Sequence, residues 1–131
     1  MGGHGSMYLA LRHKNLFSIA VPQSGGLDIR PFPNNWKLKK YLGDIKKHPE
    51  NWEKNTVLEL AKNLKDGELA ISVDCGSEDF FVGLNRDFKK LLNDKKVKFS
   101  YQEHLGAHNW SNWQKAIVRQ LPFIMKNFEK K

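Results

Sequence analysis

The chain has 131 residues, of which 40% are hydrophobic and 11% aromatic, and its formal net charge is +8. This length suits one domain with a modest core, and the composition excludes an intrinsically disordered chain. The single cysteine, Cys75, excludes an intramolecular disulfide. No apolar stretch has the length of a membrane helix, so no membrane partner is expected. The start at Met1 contains no apolar signal-peptide core, and any targeting signal would lie upstream of it.

The excess of positive charge raises the question of nucleic-acid binding. The sequence has 22 Lys and Arg residues, but the lysines cluster in helix-like segments, over residues 37–47 and 89–96. They are not interleaved with aromatic residues along one strand. A solvated helix surface explains them, and no nucleic-acid partner is expected.

The first third of the chain carries alternating helix and strand signals. The pattern predicts a helix over residues 3–13, a buried strand over 17–21, and a loop at Ser24-Gly25-Gly26. Two prolines make residues 30–35 irregular. An Asn at position 34 or 35 is expected to cap a short helix that Gly43 ends.

The middle of the chain repeats this alternation. Pro49 suits the first turn of a helix whose inner face is formed by Val57, Leu60, Ala61 and Leu64. Residues 69–73 form a second buried apolar run, which is followed by a turn-rich loop over residues 74–79. This part of the chain therefore predicts a second strand that ends in a polar loop.

The last third predicts a helix over residues 80–93, a strand over 97–102 and a helix over 111–128. Ser111 and Gln114 have the spacing of a capping box at the start of this last helix. Pro122 is expected to kink it. The positions predicted to be buried in it are Trp113, Ile117, Leu121, Ile124 and Phe128.

This order of elements predicts an α/β fold with about three parallel strands flanked by helices. Sites in such sheets lie at the carboxyl ends of the strands, where the loops at residues 24–26, 74–79 and 106–110 all fall. His108 lies at a strand-to-helix corner, which suits a general base. A surface histidine beside two packed tryptophans is the alternative.

Three motifs together resemble one known family. They are Met1-Gly2-Gly3-His4-Gly5 leading into a helix, Asp74-Cys75-Gly76-Ser77-Glu78-Asp79 after a strand, and Gly106-Ala107-His108-Asn109-Trp110 after another. In this order they resemble the C-terminal half of the putative-esterase family of α/β-hydrolases. The family includes esterase D (S-formylglutathione hydrolase), feruloyl and acetylxylan esterases, and mycolyltransferases. The segment from Ser24 to Trp36 looks most like bacterial members.

The resemblance implies a carboxylic ester hydrolase with a Ser-Asp-His mechanism. His108 would be the general base and Asp79 its carboxylate partner, and the backbone N–H of Met1 would be an oxyanion donor. The family's nucleophilic serine lies in the pattern Gly-x-Ser-Met-Gly-Gly at a sharp strand-to-helix turn, the nucleophile elbow, and would precede Met1. The expectation is therefore a single partial domain over residues 1–131, which lacks the elbow serine and the first half of the sheet and is inactive alone.

Several other residues have side chains that suit nucleophilic or metal chemistry, but their positions do not. Ser6 lies within a helix, Ser24 lies in a later loop, and Cys75 suits a buried apolar position better than a thiol nucleophile. Asp74 lies at a strand end, which suits a structural hydrogen bond. His104 and His108 on an irregular loop lack the spacing of a metal pair, so neither metal nor cofactor is expected.

Trp36 and Trp110 are candidate substrate-binding residues, and by resemblance the substrate is a small ester or an acylated carbohydrate. An unpaired edge of the first strand would favour a homodimer or association with another chain. The alternative function is a non-catalytic basic binding module that kept the hydrolase fold.

Overall fold

The computed structural model describes residues 1–128, which form an alternating series of helices and strands. The helices are α1 (Gly2–Arg12), α2 (Leu38–Leu42), α3 (Pro49–Lys54), α4 (Val57–Ala61), α5 (Val82–Asp94) and α6 (Trp110–Phe128). The strands are β1 (Ile19–Ala20), β2 (Ala70–Gly76) and β3 (Ser100–His104). None of the described helices is long and apolar enough to cross a membrane.

The three strands form one parallel sheet in the order β1-β2-β3. An isolated parallel bridge between Gln23 and Asp74 continues the pairing of the first two strands beyond β1. The predicted α/β architecture, with three parallel strands flanked by helices, is confirmed. The carboxyl ends of the strands therefore meet at one edge of the sheet, where the three predicted site loops lie.

The alternation of side chains along β2 separates two helical layers. Ile71 and Val73 are fully buried in the apolar core, which is shared with α1, α4 and α5. Its other buried members include Met7, Ala10, Val57, Ala61, Phe88 and Leu92. The opposite face of β2 meets α6: the Arg119 guanidinium pairs with Asp74, and the Gln120 amide donates to the Ser72 carbonyl at 2.7 Å.

The buried face of α6 differs from the predicted one. Asn112, Ala116 and Gln120 face the sheet, and Trp113 and Ile124 are half-buried. The predicted core positions Ile117, Leu121 and Phe128 are exposed. The reason is that small Ala116 and the amide of Gln120 allow a close, hydrogen-bonded approach to β2, which apolar periodicity does not encode. The helix remains continuous through Pro122.

Several element boundaries also move. β2 continues to Gly76 because residues 74–76 pair in register with Gln102, Glu103 and His104 of β3, so half of the predicted acid loop is strand. The single helix predicted after Pro49 is two helices, α3 and α4, because Thr56 has extended backbone angles. Trp36 and Lys37 have positive φ values of 50° and 59°, which delays α2 to Leu38.

The amino-terminal cap of α6 is Asn109 and not the predicted Ser111–Gln114 box. The backbone N–H of Asn112 donates to the Asn109 side-chain oxygen at 3.1 Å. The helix therefore begins at Trp110, two positions after His108. This cap fixes the chain immediately behind the histidine.

The two possible caps can be separated by substitution. Asn109→Ala removes the observed cap and is expected to lower the free energy of unfolding by about 1 kcal/mol. Ser111→Ala is the matched control, and it is expected to change that free energy by less than about 0.5 kcal/mol. Urea denaturation followed by circular dichroism measures both. Equal losses in the two variants would contradict the assignment.

Candidate active site

The acid loop after β2 is joined to the loop after β3 by backbone hydrogen bonds. Ser77 N–H donates to the His104 carbonyl at 2.7 Å, and Glu78 N–H donates to the Gly106 carbonyl at 3.0 Å. A Cβ atom on Gly76 would overlap that Gly106 carbonyl, so glycine is required there. The two loops are thus held side by side at the carboxyl edge of the sheet.

Asp79 and His108 meet across these loops. His108 Nδ1 lies 2.9 Å from Asp79 Oδ2 and 3.1 Å from Oδ1. Asp79 is only 2% exposed, and its Oδ1 also accepts the Phe81 N–H at 2.8 Å. Because a carboxylate only accepts, the histidine proton sits on Nδ1, which leaves Nε2 as a base.

Aromatic rings surround the imidazole of His108. Phe80 lies 4.5 Å from it between ring centres, Trp113 lies 4.8 Å away edge-on, and Phe81 lies 5.4 Å away edge-on. Phe80 is nevertheless 61% exposed. The rings fix the plane of the imidazole and keep water away from its Asp79 side.

The amino-terminal turn of α1 reaches the same place. Met1, Gly2 and Gly3 line a cavity of about 320 Å³ together with His108 and Trp110. The cavity is also lined by Ser6, Val21, Gln23, Ser24 and Trp113. The structure therefore places the Met1 end of α1 beside His108, on the wall of the same cavity.

The two predicted substrate-binding tryptophans occupy different positions. Trp110 lines the cavity and is 75% exposed. Trp36 is 48% exposed and does not line that cavity; it contacts the rings of Phe32 and Phe81 at 5.3 and 5.8 Å. The ring of Phe81 contacts both Trp36 and His108, so Trp36 is connected to the pair through Phe81. Trp110 lies in the cavity itself.

Sequence reasoning missed Phe80 and Phe81, which it placed inside a helix. The signal available was the run of two aromatic residues directly after the candidate acid, at the point where a loop becomes α5. An aromatic pair at such a junction faces either the core or the neighbouring loop. Here Phe81 is buried and Phe80 is exposed, and both contact His108.

Ser6 and Ser24 line the cavity with His108, whereas Asp74 and His104 do not. Asp74 is almost fully buried, and Arg119 Nε and Nη2 bind its two carboxylate oxygens at 2.9 and 3.0 Å. His104 Nε2 lies 3.6 Å from the Asp74 carboxylate and not in the cavity. Among residues 1–128, no group of three or more His, Cys, Asp and Glu side chains is arranged to hold a metal ion.

Comparisons with known proteins agree on the fold and the family. The model of the family described as "Putative esterase" matches residues 1–124. An acetyl esterase of Caldicellulosiruptor saccharolyticus is 25% identical over 138 residues, which covers 96% of this chain and 52% of that protein. The chain therefore spans about half the length of this relative.

Solved structures give the same picture. A ferulic acid esterase superposes with a TM-score of 0.75 at 23% identity, covering 96% of this chain and 48% of that one. The S-formylglutathione hydrolase of Staphylococcus aureus superposes with a TM-score of 0.77 at 22% identity, covering 94% and 50%. The fold is therefore that of about half of an α/β-hydrolase domain, and the chain belongs to the Putative esterase family.

Proposed function

We propose that this chain is the acid- and base-bearing portion of a serine carboxylic ester hydrolase. The observation that carries the proposal is the hydrogen bond between Asp79 and His108, because His108 also lines the cavity formed by the amino-terminal turn of α1. A general base needs one ring nitrogen oriented by a carboxylate and the other facing the reacting group. The hydrogen bond from Nδ1 to Asp79 and the position of His108 on the cavity wall support this role.

The nucleophile of the proposal is a serine directly before Met1, as in the family pattern Gly-x-Ser-Met-Gly-Gly. Its Oγ attacks the ester carbonyl carbon while His108 Nε2 takes the hydroxyl proton. His108 then returns that proton to the alcohol as the ester bond breaks. In the second half of the reaction His108 takes a proton from water, whose oxygen attacks the acyl carbon, and returns the proton to the serine Oγ as the acyl–Oγ bond breaks and the acid leaves. The backbone N–H of Met1 would donate to the oxyanion in both halves.

Without that serine, little activity is expected. Loss of the nucleophile in a serine hydrolase costs about 10⁶-fold in kcat. The 131-residue chain alone is therefore expected to have no measurable esterase activity. The binding-module alternative shares this expectation, so activity must be tested with the serine in place.

The decisive experiment is a fusion protein. The amino-terminal part of the acetyl esterase, up to and including the serine proposed as its nucleophile, is placed directly before Met1. The fusion is expected to hydrolyse p-nitrophenyl acetate, whereas the chain alone does not. His108→Ala in the fusion is expected to lower kcat by about 10⁶-fold, and Asp79→Asn by about 10⁴-fold. The exposed His13→Ala is the matched control and keeps full activity.

A fusion that melts cooperatively and is inactive would overturn the esterase proposal and leave the binding module. Hydrolysis by the 131-residue chain itself, lost on His108→Ala, would overturn the requirement for the upstream serine. The substrate is proposed to be a small ester or an acylated carbohydrate, with Trp36 and Trp110 as contacts. The relatives named as acetyl and ferulic acid esterases support this class, and acetylated xylan serves as the second substrate in the assay.

Cys75 is expected to be chemically inert, whereas a catalytic thiol nucleophile would be reactive. Its side chain is fully buried, and burial beside Asp79 raises the pKa of its thiol to about 12. Because the thiolate is the reactive form, iodoacetamide at pH 8 should leave the native chain unmodified and label it fully in guanidinium chloride. Mass spectrometry measures both. Rapid labelling of the native chain would contradict the burial.

We further propose that the chain associates through one side of the sheet. Within residues 1–128, β1 has β2 as its sole strand neighbour, and α6 exposes an apolar stripe next to its buried face. The stripe comprises Ile117, Leu121, Met125 and Phe128. Exposed strand edges and contiguous apolar patches favour association.

The 131-residue chain is therefore expected to elute from gel filtration as a dimer or a larger species. Leu121→Glu with Met125→Glu places charge on the stripe and should shift the elution toward the monomer. Lys115→Glu with Lys126→Glu, on exposed positions of the same helix, is the matched control. A monomeric peak for the unsubstituted chain at micromolar concentration would contradict this proposal.

A further inference from the structure

We infer that Asn85 is a positioning residue, which sets the placement of Asp79, His108 and the amino-terminal turn of α1 relative to one another. Asn85 does not touch the cavity. The inference rests on the proposed function only in giving this placement a catalytic purpose, since the contacts themselves are those of the described structure.

The Asn85 side chain bridges two segments. It lies in the first turn of α5 and is 0% exposed. Its Nδ2 donates to the Phe81 carbonyl at 2.9 Å and to the Gly25 carbonyl at 3.0 Å. One amide group therefore joins the end of the acid loop to the loop after β1, which lies 60 residues away in the sequence.

Through the Phe81 carbonyl, the Asn85 side chain is connected to the Asp79–His108 pair. Phe81 provides both the carbonyl that Asn85 binds and the backbone N–H that donates to Asp79 Oδ1. The Phe81 ring contacts His108 edge-on, and it packs so closely on Gly26 that a Cβ there would lie 3.1 Å from it. A shift of Phe81 thus moves the carboxylate and the imidazole together.

Through the Gly25 carbonyl, the Asn85 side chain is connected to α1. A Cβ on Gly3 would lie 2.7 Å from the Gly25 Cα, so the first turn of α1 rests directly on this loop. His4 Nδ1–H donates to the Gly26 carbonyl at 2.9 Å, and burial lowers the pKa of His4, which favours the neutral ring. The proposed nucleophile would be attached to this same turn.

A packing role alone does not account for an asparagine at this position. Asn85 Oδ1 has no hydrogen-bond partner within the described residues, and a buried polar atom without a partner destabilises the fold. An apolar side chain would fill the volume without that cost. What only the amide provides is the pair of Nδ2–H bonds, which hold the Gly25 and Phe81 carbonyls at a fixed separation.

The test observes the His108 Nδ1 proton directly. A histidine N–H that donates to a carboxylate and exchanges slowly with water gives a separate low-field NMR signal. The ¹⁵N-labelled 131-residue chain is compared with Asn85→Leu, below the melting temperature of both. The expected result is loss or displacement of the signal in Asn85→Leu. Asn85→Ala is measured as well, in case leucine prevents folding.

Asn127→Leu is the matched control. Asn127 Nδ2 donates to the Phe123 carbonyl four residues earlier at 2.8 Å, so it makes the same local bond without the long-range one. This variant should keep the His108 signal. In the fusion protein, Asn85→Leu should lower kcat by about 10²-fold while KM changes by less than about 2-fold, because misplacement affects the transition state more than binding.

The outcomes separate the two proposals. A signal that persists unchanged in a folded Asn85→Leu or Asn85→Ala variant, with only a lower melting temperature, makes Asn85 structural and overturns the inference. Failure of both variants to fold while Asn127→Leu folds has the same meaning. Absence of the signal in the unsubstituted chain would contradict the hydrogen bond between Asp79 and His108 and would overturn both proposals. A signal that responds to Asn85 in a chain whose fusion is inactive would leave positioning intact and overturn the esterase.

Discussion

Two backbone hydrogen bonds, from Ser77 to His104 and from Glu78 to Gly106, are the constraint on which the site depends. They continue the parallel pairing of β2 and β3 one step beyond the strands. They bring together Asp79 and His108, which are 29 residues apart in the sequence. The contact is close because Gly76 has no side chain to separate it from the opposing loop. A larger residue at that position would push apart the carboxylate and the imidazole without touching either.

The His108 loop is fixed at both ends, by β3 and by α6. The ion pair between Asp74 and Arg119 attaches α6 to the sheet, with both carboxylate oxygens bound. Asp74 is almost fully buried, so removal of Arg119 would break a buried ion pair, which typically destabilises a protein by about 3–5 kcal/mol. Because the Asn109 cap begins the same helix, the position of α6 is transmitted directly to the histidine.

The sequence was sufficient for the parts of the site that depend on local chain order. Parallel strands place their carboxyl ends at one edge, so the loops containing Asp79 and His108 were expected at the same edge of the sheet, and the pairing of β2 with β3 makes them neighbours. The extent of β2 was underestimated because Asp74 and Gly76 are typical of turns, and their pairing with β3 is a tertiary interaction. The buried face of α6 was wrong for a related reason, since Gln120 is buried by hydrogen bonds to Ser72 and Gln23.

Orientation of the base and placement of the nucleophile are separate problems in this chain. The imidazole contacts Asp79 and three aromatic rings, all within residues 1–128, so its orientation needs no further segment. The position of the proposed nucleophile depends instead on the height of α1 above the sheet, that is, on the distance between this helix and the loop after β1. That height is set by the close contact of Gly3 with Gly25 and by the His4 bond to Gly26. Asn85 connects the two arrangements, which explains why an amide whose Oδ1 has no partner among residues 1–128 is tolerated in the core.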